Sequence, residues 1–140
     1  METRTVIEVA EGLVRGFEDE LLTPMPGECL QCFVHRQLLE LNCDGSLRFA
    51  QHFRDTVVPR ATALEKRLTD RGGFCDCEIF MNAYWPNAVL RKQDYWRTRG
   101  DGFQEYGEAE PPATMPQCLG VRRGSTQPCG LWQRIRRGRW

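Results

Sequence analysis

No run in this 140-residue chain approaches the roughly 18 apolar residues of a membrane-spanning helix. Its opening, Met1-Glu2-Thr3-Arg4, lacks the basic-then-apolar order of a secretory leader. These absences predict a soluble, cytoplasmic protein. There is no internal repeat. There is also no phosphate-cradling glycine loop, because Arg122-Arg123-Gly124-Ser125-Thr126 has a small-residue turn without the required spacing. Net charge is absent too, which sets the chain apart from a dedicated nucleic-acid domain. Disorder is excluded by composition: 41% of residues are hydrophobic and 27% charged, the balance of a chain that folds around a core.

Acids are missing from Met115 onward, whereas Arg122, Arg123, Arg134, Arg136, Arg137 and Arg139 all lie there. The counterweight is acidic sequence at Glu8, Glu11, Glu18, Asp19, Glu20 and Glu28, and again from Asp101 to Glu110. A basic end attracts phosphate backbones, and Trp132 and Trp140 could stack on bases, so nucleic acid is one candidate partner. The simpler alternative is a tail paired with the chain's own carboxylates or solvated.

Cysteine is what the chain has in abundance. Cys29 and Cys32 form a C-x-x-C, Cys75 and Cys77 form a C-x-C, Cys43 lies between them, and Cys118 and Cys129 follow. The count of seven is odd, and cysteines in a reducing compartment bind metal or do redox chemistry more often than they form structural disulfides. Four thiolates bind zinc tetrahedrally, and ligand pairs one to four residues apart supply it without strain. The expected ligands are Cys29, Cys32, Cys75 and Cys77, with Cys43, His35 and His52 as spare candidates. Cys43, Cys118 and Cys129 otherwise read as buried small hydrophobes.

Hydrophobic spacing predicts an amphipathic helix over 3–22, ended by Thr23-Pro24-Met25-Pro26-Gly27. A second helix over 29–42 carries the C-x-x-C in its first turn. A short helix then holds Leu47, Phe49, Ala50 and Phe53, and another runs from Pro59 to Arg71, where Gly72-Gly73 stops it. The C-D-C segment over 74–85 alternates in a way that favours a strand, although Ile79, Phe80, Ala83 and Tyr84 also suit a short helix. Beyond it, the chain becomes rich in Gly, Pro, Arg and Trp. The expected fold is therefore mainly α: a helical cysteine-cluster domain over 1–90 followed by an irregular Arg- and Trp-rich extension over 91–140.

A C-x-x-C that opens a helix also exposes its first sulfur to the positive helix end, which lowers the thiol pKa and suits disulfide exchange. That makes a redox protein or sensor using Cys29 and Cys32 the principal alternative, although no strand pattern or βαβ unit surrounds the motif. Cys32 and His35 could be drawn as a nucleophilic pair, but nothing marks an oxyanion site or a third member. No catalytic residue is assigned, and the expectation leans towards a non-enzymatic protein.

The stretches Cys43-Asp44-Gly45-Ser46-Leu47-Arg48 and Gly72-Gly73-Phe74-Cys75-Asp76-Cys77-Glu78-Ile79 resemble a bacterial family known as domain of unknown function 2695. Its members typically show C-D-x-[ST]-L-R followed by G-G-[FY]-C-D-C-E-[VI]. The stretch from Cys29 through Asn82 resembles a form carrying the upstream C-x-x-C, and Cys118 to Cys129 resembles an extension found on some members. The resemblance implies no activity. Many members have histidine where this chain has Gly45, which would imply a Cys3His set with Cys43, Cys75 and Cys77. Here the fourth position of that set is glycine. The resulting expectation is a small protein with a structural zinc–thiolate site and an interaction role.

Overall fold

The computed structural model describes residues 23–136. The helix expected over 3–22, Arg137, Arg139 and Trp140 lie outside the described residues. The first described helix, α1, is Leu30–Glu40. Its buried face carries Leu30, Phe33 and Val34, and Cys29 caps its start, the sulfur accepting the Cys32 N–H at 3.3 Å. Ahead of α1, the half-exposed Arg36 guanidinium grips the buried Glu28 carboxylate at 2.9 Å, while Glu28 also accepts the Met25 N–H. This clamp fixes the approach of the chain to the helix.

Helix α2, Arg48–Val57, buries Phe49, Ala50 and Phe53 against α1, with the Phe33 and Phe53 rings 5.6 Å apart. Its own N-cap position, Leu47, has no side-chain acceptor. The cap comes from far along the sequence instead. Asp76, fully buried, accepts the Phe49 N–H at 3.0 Å and the Ala50 N–H at 3.1 Å, and its own N–H donates to the Ser46 carbonyl. A carboxylate here satisfies two orphan donors and suits the positive end of the helix. Helix α3, Leu64–Asp70, adds Leu68 and Leu64 to the core; it begins later than Pro59 because turns occupy the residues before it. The Gly73 N–H then closes back onto the Leu68 carbonyl at 2.8 Å.

The C-D-C segment is helical, not extended. Cys75 keeps extended backbone, Asp76–Glu78 forms one turn, α4, and Ile79–Ala83 continues as a π-helical turn that buries Ile79 and Ala83. Strand β1, Tyr84–Pro86, follows at once. It pairs antiparallel with β4, Trp132–Arg134, in the register Tyr84↔Arg134, Trp85↔Gln133 and Pro86↔Trp132. Between them β2, Tyr95–Thr98, and β3, Gln104–Gly107, form a hairpin with Arg97 paired to Glu105 at 2.7 Å. The Trp96 and Tyr106 rings lie 5.0 Å apart on its face.

The mainly helical expectation is thereby corrected: among the described residues, helices combine with two two-stranded antiparallel sheets, and the supposedly irregular extension supplies three of the four strands. Two physical reasons hid them. Strand β2 is exposed at every position, so it shows no in–out alternation. Strands β1 and β4 are three residues long, and each is defined by a partner that is distant in sequence. The core runs through Phe33, Phe49, Phe53, Ile79, Leu131 and Trp132, so the C-terminal segment contributes directly to it. No described helix is long and apolar enough to cross a membrane.

Two outcomes test this arrangement. Asp76→Ala should lower stability by about 1–2 kcal/mol in denaturant titration, with Asp76→Asn losing less because its amide oxygen still accepts. His35 packs edge-on to Phe80 and lies 5.4 Å from the Trp132 ring, and burial holds its pKa below the ordinary 6.5. The folded state thus disfavours the imidazolium. Stability should be full above pH 6.5 and decline as the pH falls below it, because the unfolded chain binds the proton more readily. A His35→Phe variant should show a shallower decline over that window.

Candidate metal centre

The thiols form two separate groups. Cys29, Cys32, Cys118 and Cys129 place their sulfurs within 4.8 Å of one another, and Cys43, Cys75 and Cys77 do the same elsewhere. The set expected from sequence, Cys29, Cys32, Cys75 and Cys77, is divided between the two. Cys43 joins the second group, while His35 and His52 join neither; His52 stacks on Phe33 instead. None of the seven cysteines is in a disulfide.

The four-sulfur group draws on three segments. Cys29 and Cys32 come from the N-terminal turn of α1, Cys118 from the loop that follows the hairpin, and Cys129 from the approach to β4. One backbone bond ties the Cys118 loop to the approach to α1, and another fixes the Cys129 segment to the end of β1. The Val121 N–H donates to the Gly27 carbonyl at 2.9 Å, and the Asn87 N–H donates to the Leu131 carbonyl at 2.7 Å. A tetrahedral zinc with bonds of about 2.3 Å requires sulfurs about 3.8 Å apart. The Cys32 and Cys129 sulfurs are separated by 3.7 Å. The donor set therefore fits a tetrathiolate centre.

N–H groups also point at these sulfurs. Cys29 Sγ accepts from the Cys32 N–H at 3.3 Å, and Cys118 Sγ accepts from the Cys29 and Gly120 N–H groups at 3.3 and 3.4 Å. Trp132 Nε1 donates to Cys32 Sγ at 3.3 Å. Such donors favour sulfur in its anionic form, the form that ligates metal. Gly120 has φ +87°, a conformation that glycine adopts without penalty, and this lets its N–H turn back onto Cys118.

Electrostatics within the group are uneven. The Cys29 thiol falls to about 5, drawn down first by its hydrogen bond with Cys32, against burial, with N–H donation from Cys129 and Cys32 adding to it. That same bond pushes Cys32 up, and burial pushes it further. Burial also raises Cys129. One sulfur readily becomes a thiolate while its neighbours resist adding more negative charge to a crowded site. A dication removes the conflict, because it neutralises thiolates that otherwise repel.

The three-sulfur group is more open. Cys75 and Cys77 sulfurs are 3.2 Å apart, and the Gly45 N–H donates to Cys43 Sγ at 3.4 Å. Burial and the bond with Cys77 push the Cys75 thiol up to about 12. At Cys43 burial acts upward, but N–H donation from Cys77 and Gly45 leaves its pKa lowered. Gly45, with φ +86°, repeats the turn at Gly120. The shared Cys-x-Gly pattern at Cys43-Asp44-Gly45 and Cys118-Leu119-Gly120 is the signal by which sequence reasoning could have promoted Cys118 to a ligand. Cys129 carries no comparable local mark.

Arg122, Arg123, Arg134 and Arg136 are exposed, and Arg134 donates to Gln127 at 3.2 Å.

Residues 30–82 match the family Protein of unknown function (DUF2695). Seen from this family, the matched span holds Cys32, Cys43, Cys75 and Cys77 but ends before Cys118 and Cys129. The chain is also similar to Uncharacterized protein Rv2271 of Mycobacterium tuberculosis and Uncharacterized protein Mb2294 of Mycobacterium bovis. Each is 36% identical over 63 residues, which is 45% of this chain and 63% of the relative's length. No solved structure matches.

If the Gly120 turn aims its N–H at Cys118, Gly120→Ala should cost about 1 kcal/mol or more of stability. It should also weaken metal retention in chelator competition.

Proposed function

We propose that the protein is a small, non-enzymatic interaction protein built around a structural zinc centre held by Cys29, Cys32, Cys118 and Cys129. The observation that carries this is the convergence of four sulfurs from three segments within 4.8 Å of one another, with the Cys32 and Cys129 sulfurs 3.7 Å apart. A closed set of four thiolates leaves zinc no open position for substrate, which is the character of a structural site. Its role would be to fasten the C-terminal segment, and with it Trp132 and β4, against α1. Comparable zinc sites contribute on the order of 10–16 kcal/mol of apparent binding energy to folding.

The redox alternative has the depressed Cys29 thiol in its favour. Against it, the Cys32 sulfur is hydrogen-bonded by Trp132 and sits 3.7 Å from Cys129, so it does not form an isolated dithiol with Cys29.

Elemental analysis of untagged protein decides between them. The expected result is stoichiometric zinc, with Cys118→Ser and Cys129→Ser each losing an ion and becoming sensitive to protease between residues 108 and 136. Metal-free protein with a reversible Cys29–Cys32 disulfide would replace the zinc reading with the redox one. Chelation should also lower the unfolding temperature of the wild-type chain, with recovery on adding zinc.

A further inference from the structure

Cys43, Cys75 and Cys77 share no residue with the four-sulfur group, so the proposed structural zinc leaves them unused. Their convergence has a local cause. Residues two apart diverge within a helix, but Cys75 is extended and the helical turn begins only at Asp76. The two cysteines therefore reach the same point across the helix start, with their sulfurs 3.2 Å apart. Asp76, between them, faces inward to Phe49 and Ala50. Cys43 arrives on the loop after α1, its sulfur held by the Gly45 N–H.

The nearby carboxylates are already engaged. Asp44 Oδ1 accepts from the Ser46 N–H and hydroxyl, and its Oδ2 lies 3.7 Å from Arg48. Both Asp76 oxygens cap α2. Glu78 reaches the Cys75 sulfur at 3.5 Å but does not lie within reach of all three sulfurs. No described histidine joins the group. Cys75 is buried, whereas Cys43 and Cys77 are half-buried, so solvent reaches one side of the trio.

Three preorganised thiols, with no fourth donor among the described residues and one open side, describe a metal site of a different kind from the first. We propose that Cys43, Cys75 and Cys77 form a second metal site that binds a thiophilic divalent cation such as zinc through three thiolates and leaves the fourth position to an exchangeable ligand from outside the chain. Three sulfurs select a soft or borderline cation over magnesium or calcium. Binding displaces the thiol protons and leaves a complex of one negative charge, to which a neutral nitrogen donor can add without changing that charge. This site does not depend on the structural-zinc reading, because the two groups have no ligand in common.

Cobalt(II) serves as the probe, with free imidazole as the external donor. The full-length chain should take up about two cobalt ions, whereas Cys43→Ser and Cys77→Ser should each retain about one. Titration with imidazole should shift the visible cobalt bands of the wild type saturably, with bound cobalt unchanged after gel filtration. The shift should survive in Cys118→Ser and vanish in Cys43→Ser and Cys77→Ser. In these two variants, a retained tetrathiolate spectrum and native circular dichroism establish that the fold persists. Should either fail to fold, the imidazole response of Cys118→Ser carries the test alone.

Uptake of a single ion that is unaffected by Cys43→Ser and Cys77→Ser overturns the second site. Two ions with a spectrum inert to imidazole overturn the open position. If Glu78→Gln then restores a response, the fourth ligand is Glu78 and not an external donor. Failure of the structural-zinc reading looks different: Cys118→Ser and Cys129→Ser would leave metal content unchanged.

Discussion

Four sulfurs packed around the start of α1 impose the constraint on which the rest of the fold leans. Thiols this close cannot all ionise without a positive charge among them, and the Cys29 sulfur, already drawn towards its thiolate, makes Cys32 resist. A dication bound there would turn that mutual repulsion into attraction, and would join segments that are almost ninety residues apart in sequence. The neighbouring packing is arranged to accept this closure. Trp132 buries its ring against Phe80 at 4.9 Å while its indole N–H meets Cys32, so one side chain completes both the core and the sulfur shell. Strand β4 then has a fixed origin, and β1 has a partner to pair with.

The parts of this molecule that were legible in the sequence are those with a local cause. Helix α1 follows from the spacing of Leu30, Phe33, Val34 and Leu38, whereas its cap, the Cys29 sulfur, had no mark in the sequence. Helix α2 was visible in Phe49, Ala50 and Phe53, but its actual cap was not, because Asp76 supplies it from 27 residues away. The C-D-C segment was ambiguous for a sound reason. Its alternation is real, yet Ile79 and Ala83 are also one helical turn apart, and tertiary burial of that pair settles the conformation. The C-terminal strands had no local cause strong enough to be seen. One is exposed along its whole length, and another exists only because a distant segment lies beside it.

The same distinction explains the thiols. Sequence spacing reveals which cysteines are adjacent along the chain, Cys29 with Cys32 and Cys75 with Cys77. It carries no information about which pairs share a neighbourhood. Chain topology sends Cys75 and Cys77 to Cys43, because Asp76 anchors their turn to the start of α2, directly after the Cys43 loop. It sends Cys118 and Cys129 to α1 through the backbone contact of Val121 with Gly27 and the pairing of β4. The family match ends at residue 82, so the matched portion contains the complete trio but only one member of the quartet.

Asp76 occupies a position with a consequence for how this protein responds to its surroundings. The residue that completes the first turn of α2 is flanked on both sides by thiols of the trio, so neither can reorganise without disturbing the cap. Ordering of α2 and occupancy of the trio therefore share a free energy, and thermodynamic reciprocity makes the exchange symmetric. If the trio holds a metal as proposed, its occupancy would slow amide hydrogen exchange at Phe49 and Ala50, and strain introduced into α2 would weaken the grip of the sulfurs. A single buried carboxylate would thus couple chemistry at the half-exposed thiols to the helical core.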